Sequence, residues 1–202
     1  MLQRIDTENG RFYRTPQGNL YPSVTTILSS IPNPELEAWK QAVGPDEVAR
    51  VSKRATDNGT RMHLFCEEYL QGKNPQLDVF QKYSYSGLTK ILDTVNPIAL
   101  EKMLYSDRLR VAGTLDCFAK FQGELAIMDW KTTSKLKHNG EFDTYWLQTS
   151  AYAAMIYEHL GVLVPSLVIV MQDLVAGETQ VFKERTQDWL PRFKMIRDSI
   201  PL

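Results

Sequence analysis

No run of ~18 apolar residues occurs, so no transmembrane helix is expected. Cysteine is scarce: Cys66 and Cys117 lie far apart and match no zinc or cluster spacing, which points to a reducing, cytoplasmic setting. No His-Glu-x-x-His occurs, which disfavours a metalloprotease. An excess of positive charge is also missing. Lys and Arg number 23 against 24 Asp and Glu, giving a net charge of −1 and a pI near 6.3. A protein held to nucleic acid by charge alone would be basic, so any such binding must rest on a local patch or on bound metal. The opening residues Met1–Asp6 have no apolar signal core, and acidic residues fall within the first ten, unlike a mitochondrial presequence. There is no internal repeat and no low-complexity stretch.

What is present supplies a core. Of 202 residues 43% are hydrophobic, and a chain this long buries about 70% of its unfolded surface. One domain is expected, and with it a monomer. Phe12–Arg14 and Leu20-Tyr21 flank a turn-rich loop and read as a small hairpin. Ser23 caps a short helix to about Ser30, ended by Ile31-Pro32-Asn33-Pro34. Helices are predicted over Glu35–Val43, Asp46–Gln71 and Phe80–Val95. The pattern then turns to strands at Ile98–Tyr105, Arg110–Phe121 and Glu124–Trp130. A helix over Tyr145–Leu160, strands at Leu167–Gln172 and Thr179–Lys183, and a helix over Gln187–Asp198 complete the chain. This order predicts an α/β fold with a mixed central sheet flanked by helices. Residues 1–96 form a hairpin and helical elaboration, and 97–202 form the core, as one compact unit.

The chemistry concentrates in Gly113-Thr-Leu-Asp116 and Asp129-Trp-Lys131. A tight turn at Gln122-Gly123 that pairs Phe121 with Glu124 sets Asp116 opposite Asp129, with Cβ atoms roughly 4.5–5.5 Å apart. Lys131, two residues on, shares that face. A one-residue slip would separate the aspartates. Two carboxylates this close need a proton or a cation between them. Mg²⁺ or Mn²⁺ suits such hard oxygen donors, and Lys131 would then orient water or stabilise charge on a phosphate. The plain alternative is a surface salt bridge. Ala55, Gly59, His63 and Glu67 recur at four-residue steps on one helix face, so His63 could reach a metal. Gln148 and Tyr152 share another helix face, where Gln148 could bond a phosphate or the metal's ligands and Tyr152 could stack on a base or bond a phosphate. Lys53, Arg54, Arg61, Lys135 and Lys137 form a candidate basic patch for DNA, with Trp39, Tyr145 and Trp146 as stacking surfaces.

Taken in order, His63, Glu101, Gly113-x-x-Asp116, Asp129-x-Lys131 and Gln148-x-x-x-Tyr152 resemble the RecB-like branch of the PD-(D/E)XK nucleases. The usual Pro-Asp of that family's first motif is replaced by Gly113-Thr-Leu-Asp116. Tyr21-Pro-Ser-Val-Thr25, Trp39-Lys40, Gly59-Thr-Arg-Met-His63, Leu115-Asp-Cys117 and Ile127-Met-Asp-Trp-Lys-Thr132 are similar to the mitochondrial genome maintenance exonuclease family, from about Tyr21 to Tyr152. The resemblance implies a restriction-endonuclease-like core and a Mg²⁺- or Mn²⁺-dependent DNase that prefers single-stranded DNA with free ends. It implies His63, Asp116, Asp129 and the Trp130 carbonyl as metal ligands, with Asp116, Asp129 and Lys131 catalytic and Glu101, Gln148 and Tyr152 supporting. It also places helices over the active site, here between Glu35 and Gln71. Members of the branch with an iron–sulfur cluster need four cysteines, so none is expected here. A bacterial or phage relative in a cytoplasmic setting is expected, rather than a mitochondrial matrix protein. A flap or branch endonuclease, and a silent nucleic-acid-binding module that kept the fold, stay open.

Overall fold

In the computed structural model, residues 1–134, 137, 138, 140 and 142–200 are described. Lys135 of the candidate patch lies outside them. Strands β1 (Gln3–Thr7), β2 (Gly10–Arg14) and β3 (Leu20–Pro22) make a small antiparallel sheet. Helices α1 (Val24–Leu28), α2 (Pro34–Val43), α3 (Pro45–Leu70), α4 (Val79–Ser84) and α5 (Ser86–Leu92) follow. Then come β4 (Val95–Ser106), β5 (Val111–Phe121), β6 (Glu124–Thr133), α6 (Asp143–Leu160), β7 (Ser166–Asp173), β8 (Thr179–Arg185) and α7 (Thr186–Ser199). The second sheet has the order β4-β5-β6-β7-β8. In this sheet, among the described residues, β6 and β7 run parallel, joined by the α6 crossover, and the other pairs are antiparallel. The expected mixed sheet flanked by helices is therefore present. Among the described residues no helix is long and apolar enough to cross a membrane.

Local chemistry explains most boundaries. Ser23 caps α1 by accepting from the Thr26 amide. Asn33 caps α2, with Pro34 at the first helical position. Asp78 and Gln81 form a reciprocal capping box at α4. Two expectations need correction. The single helix over Phe80–Val95 is two short helices separated at Tyr85, and Val95 already belongs to β4. The sequence does not mark strand β1: its turn to β2 is Glu8-Asn9, closed by Thr7 paired with Gly10, which at φ 115 sits where glycine is favoured.

Each face of the large sheet carries its own core. One buries Leu115, Ile127, Leu167 and Ile169 against α1, α6 and α7. The other buries Cys117, Phe121, Met128, Val168 and Val170 against α3 and α5. Both cysteines are free and buried, and burial raises their thiols, that of Cys117 to about 12.

Candidate active site

The turn at Gln122-Gly123 is the one the sequence predicts: Phe121 pairs with Glu124, and the ladder continues to Cys117 opposite Met128. There the recorded pairing between β5 and β6 stops. Beyond it β6 stays hydrogen-bonded to β7 through Thr133, while β5 stays with β4 as far as Ser106. At the fork, the Trp130 amide donates not to a strand partner but to Asp116 Oδ2, at 2.9 Å. Asp116 and Asp129 are therefore set on either side of an opening in the sheet, 8% and 1% exposed.

A second irregularity lies on the other side of Asp116. The β4–β5 register runs Leu100↔Cys117 and Lys102↔Leu115, which leaves Glu101 opposite Asp116. Glu101 has φ 44, a conformation rare for a non-glycine residue. Leu100 and Leu104 would share a face in a regular strand, yet they pack in opposite cores, as do Cys117 and Leu115. Both strands reverse phase at this rung, where their two carboxylates sit.

Helix α3 brings His63 over that rung. Its Nε2 lies 2.8 Å from the Trp130 carbonyl oxygen; its Nδ1 lies 3.4 Å from Asp116 Oδ2 and 3.8 Å from Glu101 Oε1. One ligating atom from each of His63, Glu101 and Asp116 falls within 4.8 Å of the others. Asp129 stands apart from this group. Its Oδ1 accepts from Gln148 Nε2 at 3.1 Å, and its buried Oδ2 has no hydrogen bond, only the charge contact of Lys131 Nζ at 2.5 Å. Lys131 also lies over the Tyr145 ring, 4.8 Å from its centre.

The electrostatics are those of crowded acids. Burial raises the Asp129 carboxyl to about 6 despite the Lys131 ammonium, and Asp116 adds to the rise. Burial likewise opposes charge on Asp116, but His63, then Lys131 and the Trp130 amide, hold that carboxyl below its ordinary value. Burial would lower the His63 imidazole; Asp116 outweighs it, Glu101 assists, and the ring rises to about 10. Burial opposes the Lys131 charge too, and Asp129 with Asp116 holds its amine above the usual lysine value. The donors of the rung, two carboxylates, an imidazole and a backbone carbonyl, fit a divalent ion, with Asp129 Oδ2 as a further buried oxygen.

These groups open into a cleft of about 500 Å³. Gly59, Thr60, His63, Leu64 and Glu67 of α3 form one wall, which includes three of the four residues of the predicted helix face. Ala55 lines a neighbouring groove with Arg54, Thr132–Ser134 and Lys137. The small sheet and the start of α1 supply Arg4, Arg11, Tyr13, Ser23 and Thr25; the sequence reading missed these arginines together with β1. Gly113 is explained by its neighbour: a Cβ there would meet the Tyr152 hydroxyl at 2.7 Å. Glycine lets α6 press Tyr152 against β5.

Two stacking assignments are corrected. Trp146 is fully buried between Phe142 and Trp189 and cannot meet a base. Tyr152, 3% exposed, has no free ring face, although it lines the cleft. Trp39 is half-buried on α2, and Tyr145 is half-buried beneath Lys131. Lys53, paired to Asp57 at 2.8 Å, lines a surface groove of about 340 Å³ with Arg50, Arg54 and Arg61.

A mixed sheet that forks over two buried aspartates, with a lysine two residues past the second, is the architecture of a nuclease core. The chain belongs to the PD-(D/E)XK nuclease superfamily, whose family model matches residues 27–191. Members of that superfamily generally use divalent metals. Among curated proteins it is similar to mitochondrial genome maintenance exonuclease 1 of Mus musculus, 32% identical over 138 residues, covering 60% of this chain and 39% of the relative. The Homo sapiens protein is 31% identical over 134 residues with the same coverage. That of Xenopus tropicalis is 30% identical over 149 residues, covering 67% of this chain and 43% of the relative. The chain thus spans about two fifths of the length of these relatives.

Proposed function

We propose that this chain is a Mg²⁺- or Mn²⁺-dependent exonuclease that hydrolyses single-stranded DNA from a free end. The observation that carries this reading is the forked rung itself: His63, Glu101, Asp116 and the Trp130 carbonyl gathered on one side, and Asp129 with Lys131 on the other. His63, Glu101 and Asp116 would hold a divalent ion, with Asp129 and the Trp130 carbonyl completing the set. When bound, such an ion polarises a phosphoryl oxygen and makes water a better nucleophile. Lys131 offers the amine that stabilises charge growing on the phosphate. Gln148 fixes the Asp129 carboxylate from α6. Exonuclease character is supported by the names of the relatives. At about 500 Å³ the cleft has room for a nucleotide at the forked rung.

The deciding comparison is linear against circular single-stranded DNA of one sequence, with Mg²⁺, Mn²⁺ or EDTA. Linear strands are expected to be degraded with either metal, circles spared, and EDTA to stop the reaction. Equal cutting of circles would remove the end requirement and favour a flap or branch endonuclease. Loss of His63 tests the metal set. His63→Ala is expected to weaken Mn²⁺ binding by more than about tenfold, since losing a ligand costs at least what losing a group that orients one does. Calorimetry that shows unchanged Mn²⁺ affinity would take His63 out of the ligand set.

A further inference from the structure

Arg4 and Arg11 face the cleft of the forked rung without a role in the chemistry described so far. In the β1–β2 pair Arg4 lies opposite Tyr13, and Asp6 opposite Arg11. Opposed residues share a face, as do residues two apart, so these four point the same way. Tyr13 settles which way that is. It is fully buried, and its hydroxyl lies 3.3 Å from Thr114 Oγ1 on β5, two residues before Asp116. The small sheet is fastened there twice more. Ser23 bridges to Ala112, and the Tyr21 hydroxyl donates to Asp107 at 2.7 Å. The two guanidiniums are therefore carried on strands docked beside the catalytic rung.

Their charge is only half matched. Asp6 receives Arg4 Nε at 3.0 Å and Arg11 Nε at 3.2 Å, so one carboxylate serves two cations. Asp6 does not line the cleft, whereas both arginines do. The α3 wall and the rung carry Glu67, Glu101 and Asp116, which would repel a polyanion. The arginine side chains remain 46% and 40% exposed. An exposed pair of this kind is worth little and exchanges readily, and a guanidinium fork matches phosphate oxygens in two directions at once.

We propose that Arg4 and Arg11 clamp the backbone phosphates next to the one that is cut, and that Asp6, which shares both guanidiniums, competes for them and yields them when a strand arrives. The strand's identity as substrate rests on the nuclease reading; the clamp itself is a binding property and can be measured without cleavage. Binding of fluorescein-labelled oligothymidylate to the full chain, with Ca²⁺ replacing the active metal, is followed across a salt series. The double variant Arg4→Gln/Arg11→Gln is expected to bind about tenfold more weakly and to lose about 1.4 from the salt slope, about 0.7 for each phosphate no longer neutralised. In cleavage assays the loss is expected in KM rather than kcat, because the contact is made equally before and during the reaction. Asp6→Asn is expected to move binding the other way, tightening it, and to lose that gain when Arg4→Gln/Arg11→Gln is added, because the freed guanidiniums are what the strand takes up. An unmoved slope in the double variant, or an Asp6→Asn chain that binds as weakly as the double variant, overturns the clamp. If the wild type cuts no DNA with any metal yet the slope still falls, the nuclease reading fails and the clamp stands. Cutting with an unmoved slope is the converse.

Discussion

Asp116→Asn and Asp129→Asn are each expected to lower metal-dependent cleavage by about 10³-fold or more while leaving the fold intact. The size follows from the charge removed: a divalent ion at a phosphoryl centre supplies several kcal/mol, and about 4 kcal/mol is about 10³ in rate. The fold should survive because asparagine keeps the shape and one acceptor oxygen. At position 116 that oxygen still receives the Trp130 amide, and at 129 it still receives Gln148. What asparagine cannot do is hold negative charge at the fork. Thermal melts with and without Mn²⁺ separate the two effects. The wild type is expected to gain melting temperature with Mn²⁺, since an ion that binds only the folded state stabilises it. The Asp116→Asn chain is expected to lose most of that gain while its circular dichroism stays unchanged. Near-normal turnover by either variant at saturating metal would sink the assignment.

The hairpin that carries these residues was readable because its turn is local. Gln122-Gly123 fixes the pairing of Phe121 with Glu124, and Gln122 and Gly123, at φ 49 and 87, provide the geometry. From there the two-residue period of a strand sets Lys131 on the face of Asp129 and carries the ladder to Cys117 and Met128, the rung next to the two aspartates. The helix spacing of Gly59, His63 and Glu67 was legible for the same reason. Three other features depend on contacts between distant segments, and no local pattern announces them. On the β4 side the phase reversal sits in a strand without glycine, at Glu101, whose left-handed backbone is held by its surroundings. The parting of β5 from β6 needs β7, some forty residues further on, to claim the far half of β6. Trp146 looked like a stacking surface because an aromatic at the start of a helix can face either way; Phe142 and Trp189 decide for the core. The arginines escape a local reading for a simpler reason: the turn between their strands is Glu8-Asn9, which has no glycine at its centre. The basic groove between α3 and the end of β6 brings Arg54 and Lys137 together from segments far apart in sequence. Their proximity is a product of packing, not of composition, so a chain of net charge −1 still gathers cations locally.

Lys131 carries the other large effect. Lys131→Met is expected to lower turnover by at least about 10²-fold, the loss seen when one stabiliser of transition-state charge is removed. Methionine keeps much of the apolar stem against Tyr145 and deletes the amine, so packing is disturbed less than by alanine. The accompanying metal measurement tells the role apart from that of a ligand. The Lys131 amine lies against Asp129 Oδ2, an oxygen with no hydrogen bond of its own. Deleting that ammonium frees the oxygen and removes a positive charge beside the place a cation would take. Mn²⁺ affinity is therefore expected to stay equal or rise, even as kcat falls. Calorimetry paired with single-turnover cleavage tests the two together. Lost Mn²⁺ affinity with normal turnover per bound ion would make Lys131 a structural prop of the metal site and not the residue that meets the phosphate.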